Sequence, residues 1–400
     1  LKDFTKLIDE YYSRLSEESQ QAVNDAVEII VTQKELGHKV MVITGSGPNL
    51  HEGVTTFIAE LMHKGIIDGV STSSAVIAHE LAGTLDKVHR VNGVELGFDT
   101  ERLPRGDIFE ITHLSEEYLS ELEKEMPLDR DLIDRGMKLD GKDIIKAAGN
   151  MAYPMGLRTE RISKEILAFA KMFGVPFEQA AGWGCHPLTM LGAGAVNNLP
   201  VLVTVPQLVG GGGVGLCLGD SISITERSSR IAKMIDESAV LIESAVALTQ
   251  EIHDGPLENF TGHGIWSQWD GGPSARLKGK HLIRIDLDPQ LKRAWDLERS
   301  GSTIQKAIDQ GLPKTKLTGI PFRMEMSGFA RLETSMPIIG DIGMVWPILG
   351  FKVAERLGIQ LSYISHPQDT PEGQQFRNWI VDTVKPFSIE KINQKTRNWS

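Results

Sequence analysis

Residues 40–44 read VMVIT, and GSGPN follows at once. An unbroken apolar run that stops at a glycine is the pattern of a strand buried on both faces, and such strands belong to parallel sheets. Helical spacing comes next, with Val54, Phe57, Ile58, Leu61 and Met62 on one face and Gly65 as the stop. The order then repeats: IIDGVST (66–72) reads as a second strand and SAVIAHELAG (74–83) as a second helix. Strand, turn, helix, strand, turn, helix is the unit of an open parallel sheet, whose ligands sit at the carboxyl ends of the strands.

The expected fold is therefore α/β: an open, mainly parallel sheet with helices on both faces, Rossmann-like in plan. Residues 1–36 form N-terminal helices with Ser16 or Ser19 starting the second, and 37–365 form one α/β domain with a charged insertion near 85–150. Within the insertion, residues 115–126 read as a surface helix. After it, 162–174 reads as helix, FEQAAGWG (177–184) as a strand, 185–198 as helix and LPVLVTVPQ (199–207) as strand. VGGGGVG (209–215) reads as a loop, 226–252 as one long helix, 277–288 and 336–343 as strands, and 344–358 as the closing helix. The tail, 366–400, holds an amphipathic stretch suited to packing on a neighbouring subunit.

Composition narrows the function classes. With 42 basic and 53 acidic residues the net charge is −11, which argues against wrapping DNA or RNA. Cys185 and Cys217 are the only two cysteines, so no disulfide framework is implied and a reducing, cytoplasmic setting fits. No apolar run approaches the ~18 residues of a membrane span.

The 40 glycines gather where strands end, and there the candidate chemistry lies. TGSGPN (44–49), opening a helix, is either a tight turn or an anion site built from free N–H groups. STSSA (71–75) occupies the matching place after the next strand. Gly210, Gly211, Gly212 and Gly213 are either a flexible connection or a place where backbone approaches a ligand closely. Arg227, with Arg230, stands near a helix start where an anionic partner would offset the dipole. His186 beside Cys185, and His253, Asp254 and His263 in a glycine-rich stretch, are candidate acid/base or substrate-orienting groups. The pairs His51–Glu52 and His79–Glu80 follow the two small-residue turns and could serve the same purpose or simply solvate helix starts. No HExxH or CxxC spacing marks a metal site, and none is expected.

Three blocks, 42–81, 199–215 and 335–357, resemble in order and spacing the NAD-holding loops and closing strand of the deoxyhypusine synthase superfamily. That resemblance implies NAD as cofactor, contacted at Ser46, Gly47, Asn49, Thr72, Ser73, Ser74 and Asp341. It also implies a homotetramer with active sites between subunits. The chain departs from the family at its chemistry. The aspartates that receive a polyamine fall on Gly210 and Gly215, and the stretch matching the catalytic lysine, MSGFARL (326–332), has none. The expectation is an NAD-dependent enzyme acting on a small substrate other than a polyamine. The alternatives are a phosphometabolite isomerase or lyase without redox chemistry, and a non-catalytic binding protein.

Overall fold

The computed structural model describes residues 4–45, 47–149, 155–203, 208–244, 277, 279–286, 289–300, 306–307, 309–312 and 334–397. The N-terminal helices run Thr5–Ser13 and Glu17–Glu35. Ser16 caps the second by accepting from the Ser19 amide, and Glu17, Glu18 and Lys34 sit at the ends that the helix dipole favours. Its buried stripe of Val23, Ala26, Val27, Ile30 and Val31 lies against the sheet.

The main sheet holds six parallel strands: β1 Lys39–Thr44, β2 Gly69–Thr72, β6 Val201–Val203, β7 Ser238–Ser244, β8 His281–Asp286 and β9 Ser335–Ile339. Their spatial order is β6-β2-β1-β7-β8-β9. Numbered within this sheet alone, that is 3-2-1-4-5-6, the doubly wound Rossmann order, whose direction reverses between β1 and β7. Register explains the two-sided burial. Val40, Val42 and Ile242 face one core with the helices Glu17–Glu35, Val54–His63 and Ile342–Arg356. Met41, Ile43 and Leu241 face the other core with Ile231 and Ile235 of the helix Ile224–Asp236.

Residues 85–147 contain a second sheet, antiparallel, of β3 Leu85–Asn92, β4 Ile108–Thr112 and β5 Lys142–Ala147 in the order β4-β3-β5. The expected helix at 115–126 is present as Glu116–Glu125.

Three expectations are corrected. FEQAAGWG is a helix, Phe177–Gly184, because Phe177, Ala180 and Ala181 bury at helical spacing and Pro176 fixes the entry. The glycine run is no loop but part of the helix Leu208–Ser221, broken at Gly212 where φ is +51°. The long helix stops at Asp236, and SAVLIES (238–244) is β7, the strand beside β1 at the centre of the sheet.

The tail packs on its own chain. Phe376, Ile380 and Val384 cluster with Leu85, the Phe387 amide donates to the Leu81 carbonyl (2.8 Å), and the Ser388 amide donates to the Gly184 carbonyl (3.0 Å). The apolar face that suggested a neighbouring subunit is thus used within the chain. No helix among the described residues is long and apolar enough to cross a membrane.

Candidate active-site crevice

The ends of β1 and β7 meet where the strand order reverses, and Asn49 ties them together. Its Nδ2 donates to the Gly45 carbonyl (3.2 Å) and the Ser244 carbonyl (3.3 Å), and its Oδ1 accepts from Ser244 Oγ (2.7 Å). Trp346 Nε1 donates to the same Ser244 oxygen (2.9 Å). Asn49 is completely buried, so its amide positions the turn and does not reach into the crevice. Gly47 has φ +50°, and a Cβ built on it would meet no atom of the described residues within 4 Å. A positive φ favours glycine, and the open space above it lets a ligand approach the backbone. Ser46 lies outside the described residues.

At the end of β2, Thr72, Ser73 and Ser74 are all buried. Ser73 caps the helix Ser74–Ala82, its Oγ accepting from the Val76 amide (3.4 Å). A ligand at this turn meets backbone and helix N-terminus more than free hydroxyls.

The short helix Pro48–His51 carries the titratable groups into place. His51 Nδ1 donates to the Gly47 carbonyl (3.0 Å), which fixes the tautomer and leaves the lone pair on Nε2. Burial, and then the nearby Arg377 cation, hold the half-buried ring below its ordinary pKa, so it is neutral at physiological pH. Glu52, 8 % exposed, accepts from the Gln368 amide. Burial pushes its carboxyl up to about 7, and the Asp341 carboxylate adds to the rise. Asp341 caps the helix Ile342–Arg356 through the Gly343 amide (2.8 Å), and burial raises it too. Gly343 must be glycine here, since a Cβ would lie 2.6 Å from Glu52 Oε2. Arg377, from the tail helix Pro371–Thr383, donates to the Ile145 carbonyl (2.7 Å). The tail therefore supplies one cation and one backbone donor to this cluster.

Other expected residues lie elsewhere. His63 ends the helix that leaves the crevice at Val54, about 15 Å along at 1.5 Å per residue, and its Nε2 donates to the Pro187 carbonyl (2.7 Å). His186, next to Pro187, is engaged locally, its Nδ1 accepting from the Leu188 amide (3.2 Å). Cys185 is buried, and burial pushes its thiol up. Glu80 receives the Met190 and Leu191 amides (both 2.9 Å), anchoring the start of the helix Met190–Asn197. His79 Nδ1 donates to the Ala148 carbonyl (2.7 Å).

Arg227 serves the interior. It donates to Glu178 Oε1 (2.6 Å), the Val203 carbonyl (3.1 Å), the Leu218 carbonyl (3.0 Å) and Ser221 Oγ (3.2 Å), with side chains 4 % and 2 % exposed in the ion pair. Arg230 pairs with Glu226 one turn away on the surface. Neither is held out for an anionic ligand. Gly210 and Gly211 lie in the helix Leu208–Ser221, and a Cβ on Gly213 would stand 2.8 Å from Glu160 Cγ, so that glycine allows close helix contact. Gly212 has no atom of the described residues within 4 Å of a built Cβ. His253, Asp254 and His263 lie outside the described residues.

The sequence reading missed a buried charged row. Glu243 on β7 stands in register with Arg284 on β8, and Arg284 Nε donates to Asp286 Oδ2 (2.7 Å). Burial drives Glu243 up to about 8 against the pull of Arg284. The signal was the alternation in HLIRID, whose arginine and aspartate share one sheet face.

No family model matches the chain, and no curated protein matches its sequence. Among solved structures, a protein assigned as LOR/SDH from Methanococcus maripaludis S2 is 12 % identical over 86 % of this chain and 71 % of its own, at a TM-score of 0.40. The cyanobacterial arginine dihydrolase ArgZ is 11 % identical over 86 % of this chain and 32 % of its own, at 0.38. The ternary complex of AgrE with ornithine and NAD+ is 11 % identical over 85 % and 34 %, at 0.39. The chain thus spans about a third of the length of the latter two. None of these three is a deoxyhypusine synthase, and at such TM-scores they carry no functional argument.

Proposed function

We propose that the crevice between β1 and β7 binds a nicotinamide dinucleotide and that the protein is an NAD-dependent enzyme acting on a small molecule. One observation carries the reading: in a sheet of order 3-2-1-4-5-6, the Gly45–Gly47 turn ends β1 at the point where the strand order reverses. The residues fit such a ligand, because among the described residues the space beside Gly47 is open and the helix Ser74–Ala82 begins at the end of β2 with its N-terminal amides. Gly47 and the helix start at Ser73–Ser74 would hold the phosphates. A nicotinamide ring bound there supplies hydride acceptance or donation.

The chain's own groups then handle the proton. His51, neutral and fixed with its proton on Nδ1, can accept a proton at Nε2. Glu52, with its carboxyl near 7, exchanges a proton at neutral pH, and Arg377 balances the carboxylate when it ionises. The phosphometabolite alternative loses its main support with Arg227 and Arg230 engaged in ion pairs. The test is titration with NADH followed by the nicotinamide fluorescence. Saturable enhancement that NAD competes away supports the reading, and an unchanged spectrum at millimolar nucleotide refutes it.

A further inference from the structure

The second sheet brings together two histidines and a carboxylate that no reading of the crevice uses. His89 of β3 and Asp143 of β5 are register partners, and His113 stands just beyond the end of β4. His89 Nδ1 and His113 Nε2 both point at Asp143 Oδ1, at 2.8 and 2.9 Å. All three ligand atoms lie within 4.8 Å of one another.

The surroundings hold this geometry. His89 Nε2 donates to the Leu139 carbonyl (3.0 Å), so its Nδ1 is the nitrogen available for a ligand bond. This is the outer contact that orients a metal-bound imidazole. Gly141 closes over the ring: a Cβ there would stand 2.8 Å from His89 Nε2. Lys87 holds the other carboxylate oxygen, Oδ2, at 3.1 Å and leaves Oδ1 to the histidines. His113 and Lys87 also line a cavity of about 800 Å³ between this sheet and the tail, with Tyr118, Arg158 and Phe387 on its other walls.

We propose that His89 Nδ1, His113 Nε2 and Asp143 Oδ1 bind one divalent transition-metal ion of the zinc class, with its fourth position open to that cavity. Two nitrogens and one carboxylate oxygen with an open place form the donor set of ligand-accepting zinc sites, not closed structural ones. Bonds of ~2.0–2.1 Å put tetrahedral ligand atoms about 3.3 Å apart. The present contacts therefore widen by about half an ångström on binding, within reach of side-chain rotation. The ion takes the place of the protons that now bridge both imidazoles to Asp143, and those protons pass to solvent. The ligands come from β3, β5 and the residue that follows β4, so no sequence spacing reveals them.

The test uses the full chain after chelator treatment, titrated with zinc by calorimetry and with cobalt(II) by visible absorption. One equivalent should bind, with the intense bands of a four-coordinate cobalt. His113→Ala and Asp143→Asn should each weaken binding at least about tenfold while His38→Ala, on an exposed ring, leaves it unchanged. His113→Gln is the second variant should the alanine form fail to fold, judged by circular dichroism. Absence of binding at millimolar metal, equal affinity in the parent and in the folded variants, or the weak spectrum of hydrated cobalt would each overturn the proposal.

Discussion

Removing the Arg227 side chain by Arg227→Ala should unfold the protein far more readily without acting through any ligand. Four hydrogen bonds end on this guanidinium, and its partner Glu178 is 2 % exposed. Glu178 Oε1 also accepts from the Val203 amide (3.0 Å), so the pair fixes β6 to the helices Phe177–Gly184 and Ile224–Asp236. The variant leaves a buried carboxylate without its cation, which costs about 3–5 kcal/mol. The Val203 and Leu218 carbonyls lose a donor as well, though water entering the vacated volume offsets part of that. The expected loss is about 4 kcal/mol, read as a lower urea midpoint at unchanged slope. Arg227→Met combined with Glu178→Leu should recover much of it, because an apolar pair of similar volume leaves no buried charge. A loss under about 1 kcal/mol for Arg227→Ala would refute this reasoning and return the arginine to the role of ligand contact.

Asn49→Ala should cost about 2–3 kcal/mol by freeing buried groups at the ends of β1 and β7, and should weaken dinucleotide binding in the same titration. Gly343→Ala places a methyl 2.6 Å from Glu52 Oε2 and 2.7 Å from the Pro367 Cα, so thermal unfolding should fall by the equivalent of about 1–3 kcal/mol. Glu80 gives a pH signature. Burial raises its carboxyl from 4.5 to about 7, so the folded state binds the extra proton and stability declines as pH climbs from 4.5 to 7. That single group accounts for a decline of about 3 kcal/mol across the window, and Glu80→Gln should flatten the urea-midpoint profile there by a comparable amount.

The crevice was legible in the sequence because its pieces are local. VMVIT, the glycine turn, Gly65 and the serine before SAVIAHELA each act on neighbours a few residues away, and all four reappear in the structure. So did the His51–Glu52 pair, whose place follows from the turn before it. β7 was hidden because Ile231 and Ile235 run on into AVLI with no glycine or proline between helix and strand. A short apolar run of that kind fits either element by periodicity alone. Phe177–Gly184 failed for the same reason in reverse. Arg227 misled because its charge near a helix start was visible, whereas Glu178, 49 residues away, was brought to it only by the fold. The His89–His113–Asp143 cluster could not be seen at all, since antiparallel register across three strands assembles it.

The most direct test of the dinucleotide crevice compares two glycines of positive φ. Gly47 and Gly358 both have positive φ, +50° and +68°, and neither has an atom of the described residues within 4 Å of a built Cβ. Only Gly47 lies at the β1 turn; Gly358 follows the closing helix Ile342–Arg356. Valine at either site meets a positive φ, with the greater strain at Gly47 where ψ is −107°, so both variants are first shown to be folded by circular dichroism; only at Gly47 does the side chain occupy the space beside the β1 turn. Calorimetric titration with NAD should show saturable binding in the parent and in Gly358→Val, and at least tenfold weaker binding in Gly47→Val, about 1.4 kcal/mol or more. No heat in the parent at millimolar NAD, or equal affinity in Gly47→Val and Gly358→Val, would contradict the account.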